Sequence, residues 1–164
     1  MNHAMTIDRC PTDPRGYRLA TEVTLPVDRS ELFDFFADAS NLEALTPPWL
    51  HFRILTPRPI AMGAGTLIDY RLRIHGVPLS WRTRIAVWEP PVRFVDEQLR
   101  GPYRYWRHEH SFEAVTGGTL MRDVVEYSPR GGALAQWLVV RRDLQRVFGY
   151  RGQAMQQRFG AAAE

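Results

Sequence analysis

From Tyr17 to Leu25 the chain alternates Tyr17, Leu19, Thr21, Val23 and Leu25 with Arg18, Ala20, Glu22 and Thr24, the period of a strand that buries one face. Pro26 ends it. Asp28, followed three residues later by Glu31, marks the start of a short helix carrying Leu32, Phe33, Phe35 and Phe36. A second helical turn over residues 40–45 stops at Pro47 and Pro48, because the residue before a proline is pushed out of the helical region.

Six more strands are predicted at 51–56, 65–74, 79–89, 93–98, 103–113 and 118–128, with Gly or Pro in the turns between most of them. Connections this short imply antiparallel neighbours. Gly131 and Gly132 open a last segment, 133–159, in which Leu134, Trp137, Leu138, Leu144, Val147, Phe148, Met155 and Phe159 recur near helical spacing and predict one apolar stripe. Gly149 and Gly152 predict a bend or a close contact near Tyr150. Residues 1–15, with Pro11 and Pro14 and no period, read as a loose leader, and 16–164 as a single domain. The class is α+β, with one seven-stranded sheet and one long helix to cover it.

This order of elements resembles the helix-grip fold of the START-like, or birch-pollen-allergen-like (SRPBCC), superfamily. The runs LTPPWL at 45–50, GTLIDYRLRIHGVPLSWRTRI at 65–85 and FVDEQLRGPYRYWRHEH at 94–110 resemble its bacterial polyketide cyclase/dehydratase-like branch. The resemblance implies a sheet curled around the final helix with a cavity for a small hydrophobic molecule between them. It implies carriers, sensors or enzymes alike.

Turn positions assign residues to faces. Centring the turns at 75–78, 90–91, 101 and 114–117 pairs Ile74 with Leu79, Tyr70 with Thr83, Ile85 with Asp96, Phe94 with His108, His108 with Asp123 and His110 with Met121. The inward face then carries Trp106, His108, His110, Phe112, Asp123, Tyr127, Asp96 and Gln98, while Arg107, Glu109, Arg122 and Glu126 face water. Tyr70, Trp81, Phe94, Met121 and Phe148 complete the expected ligand-binding set, with Trp49 and Tyr103 as further candidate walls. His108 beside Asp123 reads either as a polar pair bracing the sheet or as a general base oriented by a carboxylate. A two-histidine, one-carboxylate metal site of His108, His110 and Asp123 is a weaker alternative. Arg141 and Arg151 interrupt the helical stripe and read as an acid-binding pair or as snorkelling side chains.

Composition narrows the function classes. All 21 basic residues are arginine, so lysine Schiff-base chemistry is excluded. The net charge of +3 is spread along the chain without a block, which gives no support to nucleic-acid binding. The lone cysteine, Cys10, excludes an intrachain disulfide and a Cys-rich zinc site, and with no signal-like or membrane-length apolar run the expected location is cytoplasmic. No phosphate-cradling glycine motif or nucleophile elbow occurs, so no cofactor is expected. Two functions stay open. One is binding or carriage of a hydrophobic, aromatic or lipid-like molecule; the other is cofactor-free cyclisation or dehydration of a polyketide-like substrate. An interaction module using the arginine-rich surface is a third class.

Overall fold

The computed structural model describes residues 4–160, and the outermost residues at each end, 1–3 and 161–164, fall outside that description. Its strands are β1 (Ala4–Arg9), β2 (Tyr17–Leu25), β3 (Arg53–Ile54), β4 (Leu67–Ile74), β5 (Val77–Glu89), β6 (Arg93–Arg100), β7 (Tyr103–Val115) and β8 (Gly118–Pro129). They form one antiparallel sheet in the order β1-β2-β8-β7-β6-β5-β4-β3. The seven strands expected from alternation are present. An eighth, β1, corrects the expectation of a loose leader. Pro11 and Pro14 lie in the turn that follows this strand, closed by Cys10 N–H to Gly16 O at 3.0 Å. Ile7, 4% exposed, anchors the strand on β2, where it sits opposite Leu19.

Helix α1 (Arg29–Ala37) begins after Asp28 and buries Leu32, Phe33, Phe35 and Phe36. A 3-10 turn at Ala39–Leu42 follows, its N-terminus capped by Asp38 accepting from Ser40 N–H at 2.9 Å, and another at Pro48–Leu50. Phe33 packs edge-on to Phe94 and Phe112, with ring centroids 6.0 and 5.5 Å apart. Helix α1 therefore plugs one end of the space between the sheet and the final helix.

That final helix runs as α2 (Gly132–Ala135), a π-helical stretch at Gln136–Val140 and α3 (Arg141–Phe159). The single apolar stripe is not realised. The wider π turn resets the phase of the residues after it, so Leu144, Phe148 and Met155 are buried while Leu134, Trp137 and Leu138 face outward. In the π stretch the inward position goes to Gln136, which donates to the Tyr127 hydroxyl at 2.8 Å. Near Tyr150 the close contact is Trp49, edge-on with centroids 5.6 Å apart. Among the described residues no helix is long and apolar enough to cross a membrane.

Three hairpin registers differ from expectation, each by two residues. Ile74 pairs with Val77 because His75 and Gly76 both adopt positive φ (49° and 81°) and make a two-residue turn. Pro78, expected in that turn, lies in β5 where β6 has not yet begun to pair. Phe94 pairs with His110, Asp96 with His108, and His110 with Asp123. Ile85 opposite Asp96 agrees with expectation.

Candidate functional site

Between the sheet and α3 lies a cavity of about 640 Å³. Its apolar wall is built by β4 and β5 through Ile68, Tyr70, Leu72, Trp81 and Ile85, by the segment after α1 through Leu42, Trp49 and Phe52, and by Phe148 of α3. Trp81 stands edge-on to Trp106 with centroids 5.4 Å apart, and Trp106 lies 4.7 Å from Tyr103. Burial pushes the Tyr70 and Tyr103 hydroxyls above the usual phenol range, so both present neutral O–H groups to the space.

At the inner end the wall turns polar. Asp96 from β6, His108 and His110 from β7 and Arg151 from α3 line the cavity; Asp123 from β8 stands behind them. Alternation places the sheet residues on one face, and the helix supplies the cation. Asp96 Oδ1 is 3.4 Å from His110 Nε2 and 3.8 Å from His108 Nδ1. On the other side Asp123 Oδ1 is 2.6 Å from His110 Nδ1 and 3.3 Å from His108 Nε2, and Asp123 Oδ2 faces Arg151 Nε at 3.4 Å. Each imidazole therefore stands between two carboxylates, and their ring centroids are only 3.8 Å apart. Phe94 stacks on His110 at 4.3 Å.

Buried charges so close together set one another's protonation. Burial opposes the negative charge of Asp123, yet the Arg151 guanidinium, with His110, holds its carboxyl well below the usual range. Asp96 is likewise lowered against burial, by the hydrogen bond from His110 and by His108. For His110 burial again works against the charge, and Asp123 outweighs it, so the ring favours its protonated form more than a free imidazole does. Burial dominates at His108 and, with the charge of His110, pushes it down to about 4. Near pH 7 the cluster thus pairs a neutral imidazole with one inclined to carry charge, while two carboxylates face Arg151 and His110.

Of the expected binding residues, Tyr70, Trp81, Phe94, Asp96, Trp106, His108, His110 and Phe148 line the cavity. Gln98, Phe112, Met121 and Tyr127 are placed elsewhere. Gln98 bridges the β6–β7 turn, donating to Tyr103 O at 2.9 Å and accepting from Tyr103 N–H at 3.4 Å. Phe112 and Met121 belong to the cluster packed beneath α1. Tyr127 is fully buried against Tyr17 and Trp106, and burial pushes its hydroxyl to about 12. Asp123 sits behind the histidines rather than at the cavity surface. The pair expected directly across the strands, His108 and Asp123, is on one face and in contact, but His110 is the residue opposite Asp123.

Arg151 is the cluster member that alternation along the strands does not reveal; its signal was a charge inside the helical stripe. It is 8% exposed and bound to Asp123, so the snorkelling reading is replaced for it, whereas Arg141 is exposed. For a metal ion the convergent donors are Asp96, His108 and His110, whose ligand atoms lie within 4.8 Å of one another, rather than a set including Asp123.

Residues 25–155 match the family model described as polyketide cyclase/dehydrase and lipid transport. A search of the curated proteins found no match. The chain is similar in structure to protein Ms6760 from Mycobacterium smegmatis, with TM-score 0.71 and 14% identity over 98% of this chain and 100% of that one. It is also similar to Ara h 8.0201 (TM-score 0.66, 16% identity, 87% and 97% covered) and to the ginseng major latex-like protein 151 from Panax ginseng (TM-score 0.64, 9% identity, 88% and 97% covered). At these identities the likenesses establish the fold.

Proposed function

Because the chain belongs to the polyketide cyclase/dehydrase and lipid-transport family, we propose that its cavity binds a small, largely apolar molecule whose polar group is presented to Asp96, His108 and His110. Family and fold support hydrophobic-ligand binding in general. The observation that carries the finer reading is the cavity itself. Its volume of about 640 Å³ falls within the roughly 300–1,000 Å³ of small-molecule sites, and an aromatic wall with a few convergent polar groups is the usual composition of such sites. The aromatic rings favour a flat or polycyclic ligand. A neutral His108 beside a His110 inclined to carry charge suits a carbonyl or hydroxyl better than a free cation.

Titration with an anilinonaphthalene dye, and competition by fatty acids and fused-ring aromatics, tests this. Ile85→Trp adds an indole to the wall from β5 and should lower dye affinity at least about tenfold while unfolding stays cooperative. Unchanged dye binding in that variant would place the dye elsewhere and overturn the proposal.

Cofactor-free cyclisation is the second reading, favoured by the neutral imidazole of His108 beside His110. There His108 removes a proton from a methylene between two carbonyls, the enolate carbon attacks a further carbonyl, and His110 delivers a proton to the resulting alkoxide. His108→Gln should then remove turnover by about 10²–10⁴ while dye binding persists. A pure carrier shows no turnover in either form.

A further inference from the structure

The apolar residues that the final helix turns outward form a patch. Leu134, Trp137 and Leu138 are 67%, 77% and 56% exposed and lie within five residues of one another at the start of the final helix, with exposed Arg141 and Arg142 just after them. Single exposed apolar residues are ordinary, but contiguous ones mark an interaction surface. The patch stands at the rim of the cavity. Val139, also exposed, borders the cavity together with Val140 from the same stretch. His75, at the tip of the β4–β5 hairpin, joins Asp143 of α3 through Nε2–Oδ2 at 2.7 Å.

Charge identifies the occupant. Arg130, Arg141, Arg142 and Arg146 are exposed around this end of the helix, while the acidic residue in the segment 130–146, Asp143, is engaged by His75. A second copy seated by two-fold symmetry would set the same arginines against one another. A layer of anionic headgroups would neutralise them, with tryptophan and leucine entering the interface and arginine stems lying along it. We propose that the Leu134–Trp137–Leu138 face with Arg141 and Arg142 docks the protein on anionic phospholipid bilayers, with the cavity rim turned toward the lipid. This goes beyond the ligand reading and does not depend on which molecule the cavity takes.

The full chain is sedimented with vesicles of phosphatidylcholine alone and of phosphatidylcholine mixed equally with phosphatidylglycerol. Wild type should partition at least about tenfold more strongly onto the mixed vesicles, and less so in high salt. Joint replacement Leu134→Ser, Trp137→Ser and Leu138→Ser should lower that partition at least about tenfold. Arg141→Gln with Arg142→Gln should lower it about thirtyfold and flatten the salt dependence. All five side chains are exposed, so melting temperature and dye binding should stay at wild-type values. Absence of vesicle binding, binding equal in the variants, or a wild-type dimer in light scattering that the serine variant dissolves would each overturn the proposal.

Discussion

Replacing Asp123 by Asn keeps the size of the side chain and an accepting oxygen but removes a charge from the centre of the buried cluster. Asp123 is 2% exposed, and its partner Arg151 is 8% exposed and cannot give up its proton. Losing one member of a buried ion pair typically costs about 3–5 kcal/mol, because the other is left uncompensated. Losing the carboxylate that raises its pKa makes His110 less inclined to carry charge, and Asp96 still faces the cluster, so Asp123→Asn should cost about 3 kcal/mol, the low end of that range. Urea unfolding at pH 7, followed by tryptophan fluorescence and circular dichroism, reads this as a fall in midpoint at constant slope. Arg151→Met combined with Asp123→Asn removes the orphaned guanidinium, and the pair should be less damaging than the sum of the single changes by at least about 1 kcal/mol. A loss below about 0.5 kcal/mol for Asp123→Asn, or strict additivity in the double variant, would refute the ion-pair account.

Stability should peak near pH 6.5. His108, lowered from 6.5 to about 4, favours folding above pH 6.5 and loses up to about 3 kcal/mol as pH falls toward 4; raised His110 contributes fully below pH 6.5 and loses its share as pH climbs through its folded value. Urea midpoints that stay flat between pH 4.5 and 6.5 would contradict the buried neutral His108. Gly118→Ala should destabilise by at least about 3 kcal/mol, because at φ +147° its Cβ would fall 2.0 Å from the Leu25 carbonyl oxygen. Gly117→Ala, at φ +84° with open space around it, should cost only about 1–2 kcal/mol; equal melting shifts for the two glycines would argue against a β2–β8 contact this close. Gln98→Ala removes both hydrogen bonds to the Tyr103 backbone and should speed amide exchange at Tyr103 while leaving dye affinity within about twofold; a larger loss of dye affinity would return Gln98 to the ligand site.

The faces of the sheet were legible in the sequence because side chains alternate with a period of two. The three hairpin registers were each displaced by two residues, a shift that changes partners but not sides, so Asp96, His108, His110 and Asp123 still fall on the inward face. Partners were not legible because turn geometry hid in particular residues. His75 adopts a left-handed conformation that favours glycine, and the Gln98 side chain stands in for a strand partner at the β6–β7 turn. Nor can a linear pattern reveal the π turn, which sends Trp137 outward and Gln136 inward. The split of the inward set between cavity wall and solid core depends on where α1 settles over Phe112 and Met121, a tertiary contact with no local signal.

Strand β1 also decides what the sheet shows to other chains. With Ala4–Arg9 in place, one border of the sheet is a six-residue strand carrying Asp8 and Arg9, and the other is the two-residue β3. Among the described residues, short length and charge are features that make a sheet border a poor template for another chain. Remove the residues before Gly16 and the border becomes β2, nine residues long, with its backbone N–H and C=O groups unpaired along one side. A strand of that length with a bare edge invites pairing between molecules, and β1 covers that edge along its pairing with β2.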